Sequence, residues 1–492
     1  MIISSLAILL LQLLPPPAAD ALSLHPSSFP AYRSPRQSPS FQKLLAQKSY
    51  NINRIHDTSL HRLLSSVTAI PEARPSLAAF LNNDEQTTID LTESLQNEEV
   101  FLDHDNNTSS KTEQHFWKWR NHDIFCDVRT PAADISSSRS KPKVILLHGF
   151  GASTTYWRQT METLQNEGFE VHALDLLGQG KSSKPYCRAK NDGGLAKKFP
   201  YKLYPKDSTV NKESSPIAMG ANTNSEVKYS INLWAKMIDD YARHNEMDEV
   251  ILMGNSLGSL VALSAATGDF IETPNNIDRE NFFGYLAGNQ LGENSRVKGV
   301  CLFNCAVGLN SMNVLKNPSF SAVQRNVLKW VFEVLNKLIF DNEALLKFAL
   351  NNIVTKDLLR DALKSLYTYN PEQVDDELVD SFYYPAKFGG DGAIEAIRQI
   401  YCNDAGLTPM EITEKYPEIM NKLPLHLIWG DADVVTPIEG DVGHFYCDRV
   451  ANNRGGNGKT TIDVVSGGHL LFDDNPSDTH NSLLRWINKI VM

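Results

Sequence analysis

The apolar residues of this chain fall into short, mostly apolar runs separated by helical spacing. Residues 144–147, 171–177, 250–253, 297–304, 424–429 and 461–465 are such runs, each bounded by glycine or polar residues. Runs of this length predict strands buried on both faces. Between them, 229–244 and the stretch after Leu257 carry helical spacing, and 479–490 closes the chain with another helix. Strands alternating with helices predict an α/β fold with a mostly parallel sheet flanked by helices. Ahead of it, 116–120 and 124–128, joined by Asn121-His122-Asp123, predict a β-hairpin. From 311 to 422 the pattern turns wholly helical: Val323, Val327, Val331, Val334 and Leu338 share one face, widened by Trp330, Phe332 and Leu335. Most of these residues are expected to pack the helices of the block on one another, with a subset as candidate pocket lining.

The remaining segments set the domain boundaries. Residues 1–14 are apolar and Ala19-Asp20-Ala21 offers a cleavage site, so 1–21 reads as a signal peptide, although no Lys or Arg precedes the apolar run. The stretch from 22 to about 39 is rich in Ser and Pro and lacks acids, and 82–110 is acidic linker; together 22–112 reads as a plastid-targeting-like leader and linker. Simple secretion is the alternative. The core is expected over 113–310 and 423–492, with surface insertions at 187–226 and 270–295, where periodicity stops.

Composition narrows the function. The chain has 492 residues, 42% of them hydrophobic, enough for a full core, and a net charge of -11 gives no basic footprint for nucleic acid. Six cysteines form no Cys-x-x-Cys and have no histidine at zinc spacing, so buried thiols are expected and no metal or cofactor is implied.

The chemistry centres on Gly254-Asn255-Ser256-Leu257-Gly258. A bare Gly-x-Ser-x-Gly arises by chance in about one chain in six of this length. Here it follows an apolar run and opens a helix, the setting of a nucleophile elbow, in which Ser256 sits on a strained turn and a Cβ at either glycine would collide with neighbouring backbone. Two further strand ends carry Gly430-Asp431-Ala432-Asp433 and Gly467-Gly468-His469. Serine, then aspartate, then histidine, each after a strand, is the order of a hydrolase triad. A serine hydroxyl needs a base to take its proton, and the base needs a carboxylate to hold its tautomer and stabilise its charge. Singly, Asp433 or His469 would be an ordinary loop residue. Gly178 to Ser183 lacks P-loop spacing and reads as a turn, and His148 and His172 read as packing residues.

Leu147 to Ser153, Asp175 to Pro185, Gly254 to Ser259, Leu302-Phe303-Asn304-Cys305-Ala306, Asp375 to Val379 and Trp429 to Asp433 resemble the plastid branch of the α/β-hydrolase superfamily that includes chlorophyll dephytylase and pheophytinase. The resemblance runs from about Trp117 to the C-terminus, apart from the insertions. It implies an α/β-hydrolase fold with 311–422 as a helical lid, and a serine carboxylic-ester hydrolase acting on the phytyl ester of chlorophyll or a derivative. By motif match Ser256 is the nucleophile, His469 the base and Asp433 the acid, with the backbone N–H groups of Phe150 and Leu257 as the oxyanion hole. Leu471 departs from the family's usual proline two residues after the histidine. Serine at the elbow argues against epoxide hydrolases and dehalogenases of this fold, which place an aspartate there. Two alternatives stay open: a lipase or acyltransferase on the same triad, and a ligand-binding, receptor-like protein. The expected partner is a lipophilic ester; peripheral membrane association and oligomeric state are left open.

Overall fold

The computed structural model describes residues 110–132, 141–185, 191–192, 195–196, 227–270, 284–288, 294–317, 320–452 and 459–491. The expected signal peptide, the leader and linker up to residue 109, and most of both insertions lie outside these residues.

Eight strands form one sheet: β1 (Lys111–Trp119), β2 (His122–Thr130), β3 (Lys143–Leu147), β4 (Val171–Leu174), β5 (Val250–Asn255), β6 (Val297–Phe303), β7 (Leu425–Gly430) and β8 (Thr460–Val465). They lie in the order β1-β2-β4-β3-β5-β6-β7-β8. The first two form the hairpin, with Trp119 opposite His122, and β2 runs antiparallel to β4. All other pairings are parallel.

Parallel strands need crossovers, and these cover both faces of the sheet. Ile145, Leu147, Leu252, Leu302 and Leu427 pack on one face with α2 (Ile231–His244) and α3 (Leu257–Thr267). Val144, Leu146, Ile251, Met253, Phe303 and Ile428 pack on the other with α1 (Arg158–Asn166) and the C-terminal helix (Pro476–Val491). Alternate residues of a strand thus serve opposite layers, which is why the strands read as continuous apolar runs.

Between β6 and β7 the chain is helical: α4 (Ala322–Leu335), α5 (Glu343–Phe348), α6 (Lys356–Lys364), α7 (Asp376–Phe388), α8 (Gly390–Cys402), α9 (Pro409–Lys415) and α10 (Pro417–Met420). After β7 come α11 (Asp441–Ala451), the short α12 (Leu471–Asp474) and the C-terminal helix, α13. One expectation fails in this block. No residue of α4 is buried, and Val323 (73% exposed), Val327 (54%), Trp330 (64%) and Leu338 (62%) face outward. Periodicity shows which residues share a face but not what that face meets. Only Val331 and Val334 of the predicted face are partly covered, together with Leu328, Phe332 and Leu335 on other sides of the helix.

The insertions also differ from expectation where they are described. Within 187–226, Asn191–Asp192 and Leu195–Ala196 pair as a small antiparallel ladder. Within 270–295, Leu286 is fully buried, and its N–H donates to Asp239 Oδ1 at 2.9 Å. Burial pushes the Asp239 carboxyl upward, opposed chiefly by Lys236 and by this N–H. A buried carboxylate needs such a donor, so this part of the insertion belongs to the core.

Candidate active site

Strand β5 delivers Ser256 to the top of the sheet with φ 53° and ψ −118°. A non-glycine residue in that region carries roughly 1–3 kcal/mol of strain. Tight bonding holds it there: the Ser256 N–H donates to Phe303 O at 3.0 Å, and its carbonyl accepts from Ser259 N at 3.1 Å and Ala306 N at 3.3 Å. The Ser256 hydroxyl makes no cap to α3, although it occupies the capping position. Both flanking glycines are sterically required. A Cβ on Gly254 would lie 2.2 Å from Gly258 O, and one on Gly258 would lie 2.1 Å from Leu147 O. α3 therefore rises directly against the ends of β5 and β3, with Leu257 as its first residue. The first N–H groups of a helix have no partner within it and point toward charge that develops there.

The loop after β3 lies against the serine: a Cβ on Gly149 would sit 3.2 Å from Ser256 Cβ. Side chains fix the amides on either side of Phe150. Gly149 N donates to the Tyr156 hydroxyl at 2.6 Å, and Gly151 N donates to Gln179 Oε1 at 2.7 Å. Fully buried His148 accepts from Leu176 N at Nε2 (2.9 Å), which leaves Nδ1 to donate to Gly149 O at 2.7 Å. Asp175, also fully buried, accepts from Thr154 N at 2.7 Å and Lys181 N at 2.6 Å. The Phe150 ring meets Tyr401 of α8 edge-on, with centroids 5.5 Å apart.

Asp433 and His469 come together from the ends of neighbouring strands β7 and β8. His469 Nδ1 lies 2.9 Å from Asp433 Oδ2, with the carboxylate side chain fully buried. Thr436 Oγ1 donates to the same oxygen at 2.7 Å, and the N–H groups of Val435 (2.8 Å) and Thr436 (3.1 Å) donate to the other. Burial alone would raise this carboxyl's pKa, but the His469 charge and the bonds from His469 and Thr436 outweigh it and hold the group below its ordinary value. Asp433 is thus an ionised acceptor for the proton on His469 Nδ1, which leaves Nε2 as the ring's acceptor nitrogen. Asp431 sits in the turn instead, accepting from Gly467 N at 3.2 Å.

Two asparagines tie the strand ends together. Asn255 Nδ2 donates to Phe303 O (3.1 Å) and His469 O (3.2 Å). Asn304, fully buried with φ 45°, donates from Nδ2 to Gly468 O and His469 O, both at 2.9 Å, and accepts from Gly430 N at 2.8 Å. In the sequence Asn304 lies within a family-like stretch but carries no motif of its own, and neither Thr436, Tyr156 nor Gln179 is marked by one. The signal available was position: a polar residue directly after an otherwise apolar strand run has no packing reason to be there.

A cavity of about 710 Å³ opens between the turn after α4 and α8, lined by residues that include Asn336, Lys337, Asp341, Arg398 and Asn403. Its lining mixes polar and apolar surface and includes none of the five predicted site residues, so it is not assigned as the substrate site. Among the described residues no group of three His, Cys, Asp or Glu could hold a metal ion.

Residues 142–278 match the family described as alpha/beta hydrolase fold. The chain is 32% identical over 69 residues to "Probable lysophospholipase BODYGUARD 1" of Arabidopsis thaliana, covering 13% of this chain and 14% of that protein. It is 42% identical over 52 residues to "Epoxide hydrolase B" of Mycobacterium tuberculosis, covering 11% and 15%. The chain thus spans about one-seventh of the length of these curated relatives. Among solved structures, a serine hydrolase involved in carbazole degradation aligns with 77% of this chain and 100% of its own, at 16% identity and a TM-score of 0.45. With the strand order, the crossovers and the match over 142–278, the chain has an α/β-hydrolase fold.

Proposed function

We propose that the chain is a serine hydrolase that cleaves a lipophilic carboxylic ester through an acyl-enzyme. The observation that carries this reading is the arrangement at the strand ends: a strained, uncapped Ser256, and His469 held by buried Asp433, joined through Asn255, which precedes the serine and bonds the histidine's carbonyl. In the reaction Ser256 Oγ forms a bond to the ester carbonyl carbon while His469 Nε2 takes its proton. The tetrahedral oxyanion is stabilised by the Phe150 and Leu257 N–H groups, each contributing a few kcal/mol. Collapse breaks the bond to the alcohol, which leaves with the proton from His469. Water, deprotonated by the same imidazole, then releases the acid and restores the hydroxyl.

The lysophospholipase relative also bears the name of an ester hydrolase, and the epoxide hydrolase reading lacks the aspartate nucleophile at position 256. The phytyl ester of chlorophyll or a derivative is the substrate suggested by the family resemblance. Such esters reside in lipid. The outward row Val323, Val327, Trp330 and Leu338 would give a bilayer surface an apolar face to meet, beside Arg325, Lys329 and Lys337 with Glu333 as the one acid over 322–340. Two measurements test the reading. A serine-reactive phosphonate should label the protein and fail to label Ser256→Ala. In an ester series with a fixed acid group, kcat/KM should rise with alcohol length, since each buried methylene contributes about 0.8 kcal/mol. Absence of labelling refutes the serine mechanism; a maximum at methyl or ethyl refutes the lipophilic substrate.

A further inference from the structure

We propose that Asp474 is a positioning residue for the catalytic histidine, clipping the lid to the loop that holds His469. The inference rests on the serine-hydrolase reading and adds a link between lid and base that the triad does not contain.

Asp474 lies on α12, five residues after His469, and is fully buried. Its carboxylate gathers main-chain N–H groups from two separate segments. From the connection between α6 and α7 come Thr368 N (3.0 Å), Tyr369 N (3.0 Å) and Asn370 N (2.6 Å). From the histidine loop comes Gly468 N, at 2.7 Å. A second link runs alongside it: His469 N donates to Leu366 O at 3.0 Å. The two backbones touch, since a Cβ on Gly468 would lie 2.0 Å from Leu366 O. Neighbouring Asp473, also fully buried, anchors the same connection through a different side chain, accepting from the Tyr367 hydroxyl at 2.8 Å, and it bonds Arg158 and Gln159 of α1.

A carboxylate that receives four main-chain N–H groups replaces lost water on its own oxygens and on four donors at once, so the cluster holds together or comes apart as a unit. The geometry of His469 is then set from three sides. Asp433 fixes its ring, Asn255 and Asn304 hold its carbonyl, and Leu366 O holds its N–H while Asp474 ties the N–H of Gly468 to the 368–370 segment. Only the third side belongs to the lid. Displacing the lid segment would therefore shift the base, and a shift on the order of 1 Å in a catalytic group can lower a rate about a hundredfold.

Asp474→Asn tests this at nearly constant shape, because one acceptor oxygen becomes an amino group facing N–H donors. The expected result is a tenfold to hundredfold fall in kcat on a short soluble ester, KM within twofold of wild type, and an equal fall in the rate of phosphonate labelling. Tyr367→Phe is the control: it loosens the same lid connection through Asp473 while leaving the Asp474 cluster intact, and should label within threefold of wild type. Wild-type labelling rates in Asp474→Asn overturn the proposal, as does an equal loss in both variants. A wild-type protein that is not labelled at all would instead refute the serine mechanism. Hydrogen exchange on the unaltered protein keeps the proposal falsifiable if Asp474→Asn does not fold. The amides of 368–370 and of 468–469 should exchange as one protected unit, and independent exchange of the 368–370 amides overturns the clip.

Discussion

Asn304→Asp removes two hydrogen bonds from the site at almost no change in volume. The asparagine's Nδ2 donates to Gly468 O and His469 O, both at 2.9 Å, while its Oδ1 accepts from Gly430 N. The introduced carboxyl keeps the acceptor and tolerates the positive φ of this position, so backbone strain and cavity formation drop out of the comparison. What changes is the other end, where a carboxylate oxygen now faces two carbonyl oxygens in a fully buried place. Gly468 O loses its side-chain donor, whereas His469 O keeps Asn255 at 3.2 Å. A buried acceptor left without a donor costs about 1–3 kcal/mol, and two lost bonds about 0.5–1.5 kcal/mol each, so a destabilisation of roughly 2–6 kcal/mol is expected. That is a large share of the ~5–15 kcal/mol typical of a domain, yet leaves a folded protein. Urea unfolding at pH 8 measures it, and phosphonate labelling of the folded fraction should slow at least tenfold. The pH dependence gives a signature. Burial and the two carbonyls raise the pKa of the introduced carboxyl, and once protonated it becomes a donor again. The deficit against wild type should therefore shrink as pH falls toward 5. A deficit below about 0.5 kcal/mol at pH 8, or one that widens on acidification, refutes the account of Asn304 as the tie between strand ends.

Two further outcomes follow from the same geometry. Asp433→Asn should lower kcat by several orders of magnitude through loss of the imidazolium partner, while Asp431→Asn, whose carboxylate accepts from Gly467 N in the turn, should fall less than tenfold; the reverse order, measured on folded proteins, would reassign the acid. His480 lies between the Thr160 and Thr163 hydroxyls, both at 3.0 Å, and burial pushes its pKa down to about 4. Its folded pKa is below the unfolded value of about 6.5, so the unfolded state binds the extra proton and stability falls as pH drops from about 6.5 to 4, by on the order of 3 kcal/mol. His480→Gln should flatten that part of the pH–stability curve in urea titrations, and an unchanged slope would remove His480 as its cause.

The strands were legible because a parallel strand buried on both faces must be apolar throughout, as at Val144 to Leu147 and Val250 to Met253. The elbow was legible because its glycines answer to hard contacts with Leu147 and Gly258 backbone. The ties were not. Asn304, Asn255 and Asp474 act through backbone groups of segments far away in sequence, and a backbone N–H leaves no trace in the letters. Similar limits explain α4, whose apolar row has the period of a core helix while Val323 and Trp330 face outward. Leu286 was hidden for a different reason. It is one of a few buried residues inside a polar insertion, beside Gly284 and Ala287, recruited by Asp239 of α2, and so short a group carries no period.

Under the proposed serine mechanism, the backbone of Ser256 sets folding and catalysis against each other. Its φ of 53° is a conformation that glycine adopts freely and serine does not. Ser256→Gly should thus relax the turn and raise the melting temperature by a few degrees, on the order of 1 kcal/mol, while leaving no nucleophile. Screening this protein for thermal stability alone would consequently enrich for dead enzyme at position 256. On that mechanism, stability and activity favour different residues at position 256, glycine for the turn and serine for the chemistry.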